Sequence, residues 1–137
     1  MTDSTSSSSQ VLVLREPERS GGGARGRNAA AMRTEVFLDG RLTIRSRDGL
    51  HPSERAILPL LPRDRTGRAL VIGSRFGVLG HALRLLNPEL EVHLHYDDCW
   101  PADLARELAR RHSGSRLTVD VAPDPPAGPW QLVVLPL

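Results

Sequence analysis

The sequence predicts an α/β fold organised around a parallel β-sheet, and two consecutive stretches carry this prediction. In the first, the apolar residues 69–72 are followed by Gly73 and Gly77 and then by a helical pattern over residues 78–86. A short apolar run that turns on glycines into a helix is typical of a buried parallel strand feeding its crossover helix. In the second, the β-prone residues 92–96 end on Asp97 and Asp98. This order predicts the first half of a Rossmann-like sheet.

Residues 1–33 are predicted to be a disordered tail. They contain a serine run at residues 6–9 and a glycine run at residues 21–23. Such a composition buries too little apolar surface to offset the chain entropy that folding removes. The arginine–glycine steps near Arg25 are too few to predict a nucleic-acid-binding tail. Met32 directly precedes the first residues predicted to be ordered and is an alternative start site to Met1.

A lead-in of two strands and a helix is predicted before the sheet. Two β-prone runs within residues 35–44 flank Asp39 and Gly40, which is a strong hairpin signal. Pro52 then occupies a first helical position, with Glu54 in the first turn, where an acid favours the helix dipole. Helical spacing predicts that the helix, residues 52–61, buries one apolar face. The residues of that face are Ala56, Ile57, Leu60 and Leu61.

The remainder of the chain predicts a helix and two further strands. The helix covers residues 101–111, and the third strand covers residues 117–121. A proline-rich connector, residues 122–129, precedes a fourth strand from Leu132 to Leu135. Right-handed crossovers and strand adjacency then predict the sheet order 3-2-1-4. The fourth strand is left as an apolar edge.

Composition bounds the class of protein. At 137 residues the chain holds at most one domain, predicted to be residues 34–137. All 18 basic residues are arginine, but the net charge of +2 does not by itself indicate nucleic-acid binding. The single cysteine, Cys99, excludes an internal disulfide and suits a reducing compartment, so a cytoplasmic location is expected. No apolar run approaches the roughly 18 residues of a membrane span.

Residues 34–137 together resemble the class I S-adenosylmethionine-dependent methyltransferases. Among these, the chain is most similar to the small-domain group that includes ribosomal RNA guanine-N2 methyltransferases. The matching segments are the hairpin with its helix, the glycine stretch of residues 69–80, the acid-terminated strand of residues 91–97, the helix at residues 105–111 and the last strand at residues 130–135. The resemblance implies a methyl transfer to an amino group of RNA, with RNA as partner and S-adenosylmethionine as cofactor.

The resemblance also implies a cofactor site and shows where this sequence departs from the family. The implied cofactor-binding residues are Gly73, Ser74, Arg75, Gly77, Asp97 and Asp98. Val71 stands where the family has an acid, and Arg75 stands where it has its middle glycine. After the fourth strand the chain reads Leu135-Pro136-Leu137, without the family's Asn-Pro-Pro-aromatic motif. The chain is therefore expected to be a truncated or degenerate relative, the N-terminal half of the fold, with no catalytic residue predicted in it.

Two other functions are open from the sequence. The apolar strand from Leu132 to Leu135 could pair with a second copy or another chain by strand addition. Gly77 and Gly80 have the spacing of the last two glycines of a dinucleotide-binding fingerprint, although Arg75 occupies the first position. His93 and His95 alternate along the second strand, where they are expected to be hydrogen-bonded or exposed to solvent rather than to bind a metal.

Overall fold

The computed structural model describes residues 9–15, 32–112 and 117–136. The chain divides into two compact units, residues 1–50 and residues 51–137. No helix in the described ranges is both long and apolar enough to cross a membrane.

The first unit is a three-stranded sheet. Its strands are β1 (Gln10–Leu14), β2 (Arg33–Phe37) and β3 (Leu42–Ser46), in the order β1-β3-β2. β2 and β3 pair in antiparallel fashion, which confirms the predicted hairpin, and Leu38, Asp39 and Gly40 turn the chain with positive φ angles. β1 pairs with β3 in parallel, and Leu12 of β1 is fully buried.

The prediction of a disordered tail is wrong for Gln10–Leu14. These residues alternate between buried and more exposed positions, and this period of two lets them extend the hairpin by one strand. Arg33 likewise belongs to β2 rather than to the tail. The serine run, the glycine run and the steps near Arg25 lie outside the described residues. The bounds of the domain, residues 34–137, stay a prediction.

The second unit is built on a four-stranded parallel sheet. The strands are β4 (Gly67–Ile72), β5 (Leu90–Tyr96), β6 (Leu117–Val121) and β7 (Leu132–Val134). Their order, β6-β5-β4-β7, with every pair parallel, confirms the predicted α/β fold and the order 3-2-1-4. The crossover helices are α2 (Val78–Leu86) and α3 (Cys99–Arg111). Among the described strands, none pairs with β7 on its far side.

The two faces of this sheet differ in what covers them. The face that carries Leu94 packs closely against α2. A Cβ added at Gly80 of that helix would lie only 2.7 Å from Leu94 Cδ2. On the opposite face His93 contacts Trp130, the residue directly after the connector, with ring centroids 5.8 Å apart. The Arg68 guanidinium lies 4.3 Å from the centroid of the Trp130 ring. Trp130 thus covers part of this face of the sheet.

The helix before the sheet buries a different face from the predicted one. Helix α1 (Pro52–Ile57) continues as one 3-10 turn over Leu58–Leu60, so the predicted element is present. Leu60 is 78% exposed, however, and Ala56 is also exposed, so the predicted apolar face is wrong for both. Leu61 of the predicted face is buried, and the other buried positions are Glu54 and Leu58, four residues apart. This face brings a carboxylate into the interior.

Candidate functional site

The candidate site is the turn that joins β4 to α2 at the carboxyl end of the sheet. Gly73 and Gly77 have φ angles of +77° and +73°, and Phe76 between them has a φ of 58°. The Gly73 N–H donates to the His95 carbonyl at 3.0 Å, which ties the turn to β5. The predicted turn is present, and glycine suits its two positions because other L-residues rarely adopt positive φ. This segment, residues 73–77, is called the glycine turn below.

Ser74 lies at the centre of the glycine turn and is fully buried. Its hydroxyl donates to Glu54 Oε2 at 2.9 Å and accepts from the Leu79 N–H at 3.1 Å. Its carbonyl accepts from the Tyr96 hydroxyl at 2.5 Å and from the Gly77 N–H at 2.9 Å. The hydroxyl that the resemblance assigns to cofactor binding is therefore used within the fold.

Glu54 reaches the same turn from α1. Its Oε2 also accepts from the Arg75 backbone N–H at 2.8 Å, so two donors of the turn meet at one oxygen. Its Oε1 is buried and has no hydrogen-bond partner among the described residues, and the side chain is 2% exposed. Burial raises the pKa of Glu54, although the hydrogen bonds from Ser74 and Arg75 and the Arg75 charge act in the opposite direction.

Tyr96 closes the turn from the last position of β5. Burial raises the pKa of its hydroxyl, and the neighbouring charge of Glu54 raises it further. The hydroxyl therefore stays protonated and acts as a donor to the Ser74 carbonyl. Ser74, Glu54 and Tyr96 form one buried polar network beneath the turn.

The remaining predicted site residues lie at the surface around this network. Arg75 is exposed, and its guanidinium lies 5.5 Å from the centroid of the Phe76 ring. Asp97 is exposed directly after β5. Asp98 is the N-cap of α3, where its Oδ1 accepts from the Trp100 N–H at 3.1 Å. Asp98 thus has a local structural role as the N-cap of α3.

The turn as folded does not fit the methionine end of S-adenosylmethionine. The Ser74 hydroxyl and the Arg75 N–H are directed to Glu54, and Val71, which replaces the family's acid, is a fully buried apolar side chain. A ligand that needs these donors would have to displace Glu54 from them. Cofactor binding stays a prediction for all six implied residues, which are Gly73, Ser74, Arg75, Gly77, Asp97 and Asp98.

Sequence reasoning did not identify Glu54 or Tyr96 as parts of this site. Glu54 reads as an ordinary acid in a first helical turn, which is common because it favours the helix dipole. Tyr96 reads as the apolar end of a strand. Neither carries a motif, so only the packing of α1 and β5 reveals the network.

The two strand histidines belong to a second polar cluster, on the other face of the sheet. His93 Nε2 and Asp120 Oδ1 are 2.6 Å apart, and His95 Nδ1 and Asp120 Oδ1 are 3.1 Å apart. Burial would raise the pKa of Asp120, but the hydrogen bonds and charges of the two histidines lower it. The prediction of hydrogen-bonded histidines is confirmed. Within the described ranges no group of three His, Cys, Asp or Glu side chains could hold a metal ion.

The parallel sheet and its glycine turn define the class of this second unit as a Rossmann-like α/β unit. The chain is 41% identical over 83 residues to proteins named ribosomal RNA large subunit methyltransferase G, from Pseudomonas aeruginosa and Pseudomonas paraeruginosa. The match covers 60% of this chain but 22% of the length of those relatives. No family model matches the chain. The similarity supports the resemblance to RNA methyltransferases. The guanine-N2 subgroup and the truncation stay predictions.

Proposed function

We propose that this chain is a methyltransferase-like module of an RNA-modifying protein, and that it does not itself carry out methyl transfer. The similarity to the ribosomal RNA methyltransferases and the parallel sheet support the first part. The chain matches about a fifth of the length of those relatives, so their activity is not transferred to it as a whole.

One observation carries the non-catalytic part of the proposal. The glycine turn donates its Ser74 hydroxyl and Arg75 N–H to Glu54 rather than to a ligand. Catalysis of this kind depends on holding the two reactants in the correct geometry. The donors of this turn are occupied by Glu54 of the same chain, so the turn does not hold a cofactor in that geometry.

Calorimetric titration with S-adenosylmethionine tests this part. We expect no saturable heat with ligand at millimolar concentration, while the same ligand stock binds a known methyltransferase. Saturable binding would overturn the proposal if it is weakened by Asp97→Asn but not by Asp98→Asn. These two variants are a matched pair because asparagine remains a good N-cap at residue 98.

An RNA partner belongs to the same proposal, and salt dependence tests it. A fragment of large-subunit ribosomal RNA should bind the full chain, and the affinity should fall as salt increases because arginine contacts to phosphate release counterions. Eighteen arginines with no lysine supply the donors. Equal affinity for the ribosomal fragment and for an unrelated RNA of the same length would argue against a role in ribosomal RNA modification.

A second candidate function is self-association through β7. This edge strand exposes Val133 by 52%, and Leu135 just beyond it by 50%. Exposed apolar edges pair readily with other strands. Sedimentation velocity over a hundredfold range of concentration should show a dimer that Val133→Arg abolishes. Val11→Arg is the matched control, since Val11 is equally exposed on an edge strand of the other sheet.

A further inference from the structure

The glycine turn and Glu54 have the relation of a binding site to its ligand. We propose that the glycine turn is a carboxylate-binding cradle that the chain fills with its own Glu54. The chemical class of the cradle's ligand is a carboxylate, and its occupant in this protein is the side chain itself. The proposal concerns the same turn as the proposed function, but its test uses no cofactor, so the two can fail separately.

The donors of the turn are arranged to meet a single anionic oxygen. The Ser74 hydroxyl and the Arg75 N–H converge on Glu54 Oε2 at 2.9 and 2.8 Å. Hydrogen bonds to a charged acceptor are stronger than those between neutral groups. Two donors from consecutive residues therefore form a small acceptor site that stabilises the carboxylate form, although burial raises the pKa of Glu54 by more than these bonds lower it.

The surrounding fold fixes these donors before any acceptor arrives. The Leu79 N–H donates to the Ser74 oxygen at 3.1 Å, which leaves the hydroxyl hydrogen free to point at Glu54. The Tyr96 hydroxyl holds the Ser74 carbonyl at 2.5 Å. Neither contact involves Glu54, so the cradle should keep its shape when the carboxylate is removed.

The second oxygen of Glu54 indicates that packing alone does not explain this side chain. Oε1 is buried without a partner among the described residues, which is unfavourable for a carboxyl group. An apolar residue at position 54 would avoid that cost. The bonds that Oε2 makes to the turn are the compensation visible in the structure.

Rescue by formate tests the proposal, because formate is the carboxylate group alone. In Glu54→Ala, which opens space for one small anion, formate should raise the midpoint of thermal unfolding in a saturable manner. With formate at ten times its dissociation constant, the folding equilibrium constant should rise roughly 11-fold. Chloride at the same ionic strength should have no such effect. Wild type and Glu54→Gln should not respond, because their cradle is filled.

A second variant makes the test specific to the named donors. Adding Ser74→Ala to Glu54→Ala removes one of the two donors, so the formate effect should shrink. If Glu54→Ala is unfolded, the same titration measures its refolding by circular dichroism, and refolding in formate but not in chloride supports the cradle. An equal response to formate and chloride, or an equal formate response in wild type, overturns it.

Discussion

Replacing Gly77 with alanine combines backbone strain with a steric clash at the base of the glycine turn. Gly77 has a φ of +73°, and an added Cβ would lie 2.7 Å from Leu94 Cδ1. A left-handed conformation costs an L-residue about 1–2 kcal/mol. Overpacking of a well-packed core costs about 1–3 kcal/mol. We therefore expect Gly77→Ala to lower the free energy of unfolding by about 2–5 kcal/mol.

Two neighbouring glycines separate these two costs. Gly73 has a φ of +77°, but an added Cβ would meet no atom within 4 Å, so Gly73→Ala should cost only the strain, about 1–2 kcal/mol. Gly80 has no positive φ, and its added Cβ would lie 2.7 Å from Leu94 Cδ2. Gly80→Ala should therefore pay for overpacking but regain up to about 1 kcal/mol of helix propensity.

Urea denaturation of the three variants, followed by circular dichroism, measures these differences. The Gly77 variant should be the least stable of the three. Combining Leu94→Val with Gly80→Ala removes the clashing methyl, so the double variant should be more stable than the sum of the single changes predicts. The reasoning is refuted if Gly77→Ala costs no more than Gly73→Ala, or if Leu94→Val shows no coupling.

Three further predictions concern the two polar networks. Asp120→Asn should destabilise the protein at neutral pH. Because the pKa of Asp120 is lowered, its contribution to the free energy of unfolding is present above the ordinary pKa of 3.8 and is lost as the pH falls through the lowered pKa. Urea denaturation curves of the variant and wild type should therefore converge in acid. Tyr96→Phe removes the bond to the Ser74 carbonyl and should cost about 0.5–1.5 kcal/mol in the same assay; no loss would show that the bond is not made. The raised pKa of Glu54 means that wild type loses stability as the pH rises from 4.5 through the raised value, so Glu54→Gln should gain on wild type between pH 4.5 and 7.5. A difference that does not change with pH would contradict this.

The parallel sheet was predictable because its signals are local. The run at residues 69–72 is bounded by turn residues, and each crossover is short, so strand adjacency together with right-handed crossovers favours the order 3-2-1 for the first three strands. The hairpin followed from Asp39 and Gly40 for the same reason. β1 was missed because its partner, β3, lies about 30 residues away in sequence. A five-residue strand flanked by low-complexity sequence carries no local sign of such a partner.

The candidate site was predictable only where the backbone requires glycine. Gly73 and Gly77 are identified by sequence because few other residues tolerate their φ angles. What fills the turn is decided by the face that α1 buries, and helical spacing favoured Leu60 over Glu54 because it weighs apolar character alone. Burial of an acid is an exception to the rule that apolar residues form the buried face, and it requires hydrogen-bond donors nearby. Here those donors come from a turn 20 residues further along the chain. A glycine turn therefore identifies the shape of a binding site, whereas its occupant, a ligand or the chain's own carboxylate, depends on contacts that no local pattern encodes.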